Sequence, residues 1–290
     1  MTNEERQALV AIPFSVLFSI AMAWAGSQGG YSTAGIPIFG LCVAVAFLIN
    51  WLAFLPAYWK RTQAFYDLVG SITNISVILI SVLLTPVVDF RSWLLVGIIT
   101  LWAGRLGYFL VSRVRLDGED RRFQELKHSF LRFLLAWTMQ GLWVTLTLAA
   151  AMAAITSTVK IPLDLSVIIG LSIWMAGFGI EILADKQKRQ FKSRPENEGR
   201  FIRTGLWAWS RHPNYFGEIL LWIGVAAIAL PVLRGWQYVT LVSPVFVAIL
   251  LTKISGIPML EKHADQKWGG QPEYQAYKAG TSPLIPWPPK

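Results

Sequence analysis

Two stretches of this sequence combine residue types that can do chemistry at spacings a helix would gather. In the first, Glu181, Asp185, Lys188, Arg189 and Lys192 recur at i, i+4, i+7, i+8 and i+11, which is one helical face with the acids deep and the bases nearer water. The bases suit the C-terminal end of a helix beside an anionic leaflet, and Asp185 with Arg189 suits an ordinary i, i+4 pair. Glu181 does not yield to that account, because a carboxylate at the end of an apolar span is costly unless it has a partner or lines a wet cavity. In the second stretch, Arg211-His212-Pro213-Asn214-Tyr215-Phe216-Gly217-Glu218 leads straight into an apolar run. Pro213 suits the first turn of a helix, so unsatisfied N–H groups and partial positive charge should open there, a natural seat for phosphate. Asn214, Tyr215 and Glu218 then project from the first turns, where a base or ribose can be hydrogen-bonded, with Arg211 and His212 just ahead of them. A helix cap plus a headgroup anchor is the plainer account of Arg-His-Pro.

A third candidate is Asp67, next to Tyr66 at the start of another apolar run, with Gly70, Ser71 and Asn74 following on the same face. Either a catalytic acid or a simple N-terminal helix acid accounts for it. Arg105 falls inside an apolar run, and an intramembrane arginine is itself a functional hypothesis. Arg113 and Arg115 are looser candidates just beyond.

The elements that must position these residues are membrane helices. Of the 290 residues 54% are hydrophobic and only 15% charged, against about 25% charged in soluble domains. The 14 tryptophans and 8 tyrosines add interface anchors. Residues 7–59 carry no charged side chain and are too long for one crossing of a roughly 30 Å core, so they hold two helices, broken at Gly26-Ser-Gln-Gly-Gly-Tyr-Ser-Thr-Ala-Gly-Ile-Pro37. Further spans are predicted near 66–86, 92–112, 133–154, 165–184, 213–231 and 235–254. The fold class is therefore an all-α integral membrane bundle of eight helices, with seven as the alternative count. The N-terminus lacks a basic n-region and cleavage site, which keeps the first run as a span.

Orientation follows from the lysines and arginines. Of 26, only Arg91, Lys160 and Arg234 fall in the outer loops and Arg105 within a span, leaving 22 on the side read as cytoplasmic, together with both termini. The net charge of +9 then speaks for anionic lipid or a phosphorylated ligand rather than nucleic acid. The segment Asp117–Lys127 is either a surface helix or a solvated connector. A single cysteine, Cys42, excludes an internal disulfide, and His128, His212 and His263 are too scattered for a metal motif. No linker divides the chain, which reads as one domain with substrate-side helices in 1–154 and a distinct C-terminal region over 165–287.

Taken together, Glu181-x-x-x-Asp185, the Lys188/Arg189/Lys192 bases, Ser210-Arg-His-Pro-Asn-Tyr-Phe-Gly-Glu218 and the closing Tyr277-Lys…Leu-Ile-Pro-Trp287 resemble the C-terminal domain of the steroid 5α-reductase-like membrane family, most closely its bacterial relatives. That resemblance implies an NADPH site in 165–287 and reduction of an activated C=C bond of a sterol-like or other lipophilic substrate, in a bacterial inner membrane. It implies cofactor contacts at Arg105, Asp185, Arg189, Lys192, Asn214 and Glu218, with Glu181 replacing an asparagine and Lys192 replacing an arginine. On the substrate side, Tyr66-Asp67 stand where the reductases carry Gln-Glu, and Trp102 replaces a tyrosine, which removes a proton donor. Asp67 or Tyr66 would polarise the substrate carbonyl as charge develops after hydride transfer.

The Arg-His-Pro-x-Tyr-x-Gly pattern, with a late glutamate and Tyr-x-x-Tyr, is also similar to isoprenylcysteine and phospholipid methyltransferases, which use S-adenosylmethionine. Glu261-Lys262 lacks the paired glutamates of those enzymes, and Lys188, Arg189, Lys192 and Arg194 suit a 2′-phosphate better than a sulfonium. A non-enzymatic lipid-binding protein on the same scaffold is the third class, and it predicts no nucleotide binding.

Overall fold

The structure is a computed structural model that describes the backbone of residues 1–117 and 125–288. The side chains of 111–124 are outside the described set, so Arg113, Arg115 and most of the Asp117–Lys127 segment lie outside the described residues. The chain is 78% helical. Eight helices among the described residues are long and apolar enough to cross a bilayer, which selects eight spans over seven and makes this a multi-pass integral membrane protein.

The first span is α1 (Asn3–Ser27), opened by a capping box in which Thr2 accepts from the Glu5 N–H and Glu5 accepts from the Thr2 N–H. The predicted break after it is a small hairpin of β1 (Ser32–Thr33) and β2 (Ile36–Pro37), paired antiparallel. Its two turn residues, Ala34 and Gly35, have φ of 47° and 79°, the left-handed pair that a tight two-residue hairpin needs. Then come α2 (Ile38–Trp59), α3 (Tyr66–Leu84), α4 (Phe90–Asp117) and α5 (Phe130–Thr156). They are followed by α6 (Leu165–Lys192), and by α7 (Pro213–Ala229), with Pro213 in its first turn as predicted. The last predicted span is not one uniform helix. A 3-10 segment (Gly235–Leu241) leads into α8 (Val242–Ile249) and a π turn (Leu250–Ile254), after which α9 (Ile257–Trp268) and α10 (Pro272–Gly280) are short and polar.

The chain divides into two compact units. One comprises residues 1–165 and 228–243, with α5 at its centre: the helix packs against α1, α2, α3 and α4 and is buried along most of its length. Alanines in its second half, Ala149, Ala150, Ala151, Ala153 and Ala154, let the neighbours approach. At one end, Phe54, Ala57, Phe133 and Trp137 form an aromatic cluster with Phe65 and Tyr66. At the other end Arg91, 2% exposed, donates to the Ile228 carbonyl at 2.8 Å and to Asp164 at 3.0 Å. Beside it the Lys160 ammonium donates to the last carbonyls of α5, at 2.8 Å from the Ile155 oxygen.

The other unit comprises residues 166–227 and 244–290. Its frame is a close crossing of α6 and α7 through glycines spaced by seven residues on each helix. A Cβ at Gly217 would lie 2.6 Å from the Gly177 carbonyl oxygen and 2.8 Å from the Glu181 nitrogen, and one at Gly224 would lie 2.6 Å from the Gly170 oxygen. Only glycine lets these backbones meet. The C-terminal tail then folds back on the segment before α7. Arg211 N–H donates to Ser282 (2.8 Å), Trp287 N–H to Trp209 (2.9 Å), and the Ser210 hydroxyl to Leu284 (2.7 Å).

Candidate functional site

The polar residues predicted on the 181–192 face and on the 213–218 turns are brought together by the glycine crossing. Asn214 donates its amide to Asp185 Oδ1 at 3.2 Å, across from α7 to α6. Glu181 sits one turn deeper on α6, 6% exposed, with its backbone against Gly217. Glu218 accepts the Trp222 indole N–H at 2.9 Å. Two carboxylates and a carboxamide are thus fixed within one or two turns of the crossing, and a third carboxylate is held by an indole on α7.

The basic residues follow along α6. Lys188 lies with its ammonium 4.6 Å from the centre of the Trp207 ring, and that indole in turn donates to the Ala184 carbonyl at 3.0 Å. The loop carrying Trp207 is pinned by Gln187, whose side-chain oxygen accepts the Leu206 N–H at 2.9 Å. Gly205 makes this possible, since at φ +62° a side chain would be strained and its Cβ would collide with Gln187 at 2.6 Å. Arg189 and Lys192 are exposed on the same helix.

Arg211 and His212 take a different part from the one the motif suggests. The Arg211 guanidinium donates to the Lys278 carbonyl at 2.8 Å and lies 3.3 Å from Glu261 Oε1. His212 Nε2 lies 2.9 Å from the same carboxylate oxygen, which fixes the tautomer with Nε2–H donating. Its ring stacks on Tyr215 at 5.6 Å. Burial lowers the His212 pKa below the ordinary value of 6.5, while the hydrogen bond to Glu261 works in the opposite direction. Lys278 completes the group by bridging Glu261 (3.7 Å) and Asp265 (2.6 Å). Burial is the main cause that pushes the Tyr274 phenol up to about 12, with Asp265 adding to it. These residues lock the tail to the entrance of α7, and Glu261, Asp265 and Lys278 were not among the residues predicted to hold the cofactor. Arg211 and His212 reach Glu261 and Lys278 across roughly fifty residues or more of chain, so only the fold joins them.

In the first unit, the Tyr66 hydroxyl donates to the Ala136 carbonyl at 3.0 Å and its ring meets the Trp137 edge. Asp67 is half-buried in the first turn of α3. Trp102 is buried and tilted against Trp143 at 6.2 Å, and Arg105 is half-buried one turn further along α4. Around α3 lies a polar layer that sequence reasoning saw only at Asn74. The Gln140 amide donates to the Tyr66 carbonyl at 3.0 Å, Asn74 donates to the Gly70 carbonyl at 2.8 Å, and Asn50 donates to Ala46 at 2.8 Å beside Thr73. Three amide side chains in otherwise apolar runs were the available signal.

A family model described as protein of unknown function (DUF1295) matches residues 53–281, and the chain belongs to that family, which lies in the steroid 5-alpha-reductase-like membrane superfamily. No curated protein and no solved structure gives a significant match.

Proposed function

From that family membership and the geometry above, we propose that the chain is an NADPH-dependent reductase of an activated C=C bond in a sterol-like or other lipid substrate, loaded from the cytoplasmic face of a bacterial inner membrane. The observation that carries this reading is the Asp185–Asn214 pair at the glycine crossing, followed along α6 by Lys188, Arg189 and Lys192. Between Glu181 and Lys192 the helix rises about 16 Å, the length scale of an extended dinucleotide. The residues fit such a group chemically. Asp185, Asn214 and Glu218 offer hydrogen-bond acceptors and a donor to a carboxamide and ribose, and the exposed Arg189 and Lys192 offer cations to phosphate. When bound, NADPH supplies the hydride.

The protein's own contribution on the substrate side rests on Asp67. The Tyr66 hydroxyl is engaged with a backbone carbonyl, so Asp67 is the better group to hold a proton at its carboxyl oxygen toward a substrate carbonyl. The surrounding apolar helices exclude water and strengthen that hydrogen bond.

Purified protein in lipid nanodiscs, titrated with NADPH, NADH and S-adenosylmethionine, tests the reading. NADPH is expected to bind at least about tenfold more tightly than NADH, a difference of roughly 1.4 kcal/mol. The double substitution Arg189→Ala, Lys192→Ala should erase that difference. Binding of S-adenosylmethionine without NADPH would make the chain a methyltransferase, and binding of neither would leave a non-enzymatic lipid-binding protein. NADPH selectivity that survives the double substitution removes the phosphate site from these two residues.

A further inference from the structure

The charges that lock the tail to the entrance of α7 are balanced two against two. Arg211 and Lys278 are the cations, Glu261 and Asp265 the carboxylates, and His212 takes part as a neutral donor through Nε2. Glu261 Oε1 serves both Arg211 at 3.3 Å and His212 at 2.9 Å, and the other oxygen of that carboxylate lies 3.7 Å from Lys278. Two backbone bonds complete the dock, Arg211 N–H to the Ser282 carbonyl and Trp287 N–H to the Trp209 carbonyl. Beyond these contacts the tail is loosely seated. None of residues 282–288 is fully buried, and an open cavity of about 510 Å³ is lined by Arg211, Lys278, Ser282 and Trp287 among others. Undocking this strap therefore uncovers little apolar surface.

The lock has no place for a second proton on His212. Its Nδ1 is buried and has no hydrogen-bond partner among the described residues, and the ring, 5% exposed, is stacked on Tyr215. A proton there makes an N–H without an acceptor, which is unfavourable in a buried place. It also sets three cations, Arg211, His212 and Lys278, against two carboxylates, with Lys188 of α6 a further positive charge acting on the ring. Glu261 attracts the added charge, but burial outweighs it in lowering the His212 pKa from 6.5. The remaining neighbours cannot compensate. Burial holds the Tyr274 and Tyr277 phenols above their ordinary value, so both stay neutral. An ordinary carboxyl titrates near about pH 4, so the acids of the lock are already charged where an imidazole gains its proton.

We infer that His212 is an acid trigger: a proton taken up at Nδ1 releases the strap 281–288 from the entrance of α7 while the membrane helices stay folded. The two-state element is the docked or undocked strap, and the imidazole biases it. The sign follows from linkage. The undocked ring has the ordinary value of about 6.5 and the docked ring a lower one, so docking is fully favoured above about pH 6.5 and weakens below it, by up to about tenfold per pH unit until the docked value is reached. Release takes the Ser282 carbonyl away from the Arg211 N–H, three residues ahead of the Asn214 that meets Asp185. The strap is thus an acid-sensitive cover beside the candidate site, and the trigger operates whichever cofactor binds there.

Hydrogen–deuterium exchange of the full-length protein in nanodiscs tests it, at about pH 7.5 and about pH 5.5, one unit on either side of the free imidazole value. Rates are corrected for the intrinsic pH dependence of exchange with an unstructured peptide. The Arg211 and Trp287 amides report docking directly, because both of their acceptors lie across the strap contact. Their corrected exchange is expected to rise by about tenfold at the lower pH, while the amides of the buried α5 do not change. His212→Gln, whose amide still donates to Glu261 but does not titrate, should keep the strap docked at both values, and His212→Asn serves if the glutamine variant does not fold. Equal exchange at the two pH values in the parent protein, or an acid response that persists in the variant, overturns the trigger. A rise shared by α5 overturns it as well, since the response would then be global unfolding rather than release of the strap.

Discussion

Adding one methyl group at Gly217 should disturb both the stability of the second unit and the candidate cofactor site, and the size of the effect follows from the crossing. The alanine Cβ would stand 2.6 Å from the Gly177 carbonyl oxygen and 2.8 Å from the Glu181 nitrogen. Both are backbone atoms, so no side-chain rotation relieves the clash. To reach an ordinary contact of about 3.5 Å, α6 and α7 must part by roughly 0.9 Å at this point. The Asn214–Asp185 hydrogen bond, 3.2 Å long and one turn away, would then open to roughly 4 Å, beyond any useful bond. Overpacking of this kind costs about 1–3 kcal/mol, which lowers the thermal midpoint by about 2–12 °C in a chain of this size. Gly179→Ala is the matched control on α6, because its Cβ would meet nothing within 4 Å, and it should stay within about 0.5 kcal/mol of the parent. The assay is a thermal melt of each purified variant followed by nucleotide titration. If Gly217→Ala melts with the parent and binds nucleotide as tightly, the crossing does not hold the site together and the argument fails.

Two further predictions concern the ends of the helices. His212 has its pKa lowered by burial, so the folded state prefers the neutral ring. Its contribution to stability is present above the ordinary value of 6.5 and is lost as the pH falls below that toward the folded-state value. The thermal midpoint should therefore decline as the pH falls below about 6.5, and His212→Gln should flatten that decline; an unchanged slope in the variant assigns it to other groups. Asp164→Ala leaves the buried Arg91 with a carbonyl but without its carboxylate. Because Asp164 is itself about a third exposed, a loss of about 1–3 kcal/mol is expected, measured as a lower melting midpoint. A midpoint equal to the parent's would mean that Arg91 is neutralised by its other neighbours.

The spans were legible because hydropathy and length alone decide what crosses a bilayer, and Pro213 marked the start of α7 to the residue. The motif residues of α6 and α7 were legible as a set, and Asp185 and Asn214 do meet. What the residues could not disclose is how Arg211 and His212 are used, since Glu261, Asp265 and Lys278 become their neighbours only through tertiary folding. The glycine crossing was in principle readable from Gly170, Gly177, Gly217 and Gly224, but a seven-residue glycine spacing in an apolar run has meaning only once the partner helix is known. The irregular final span was hidden for the opposite reason. An apolar run without polar markers does not distinguish an α-helix from 3-10 or π turns, and tertiary contacts chose among them. The Asn50, Asn74 and Gln140 layer went largely unread because an isolated amide in an apolar stretch often bonds its own backbone, and each of the three does so with its N–H group only in part of its capacity.

Arg91, Lys160 and Arg234, the three basic residues that the sequence reading sets on the less basic side, have a common use in the folded chain. Arg91 donates to the Ile228 carbonyl, Lys160 to those of Ala154 and Ile155, and Arg234 to those of Pro231 and Leu233. Each cation thus caps backbone oxygens near a helix end or turn. Arg91 is buried behind its bonds and Lys160 half-buried, whereas Arg234 remains exposed. Removing any one of the three would therefore uncover backbone carbonyls as well as delete a charge.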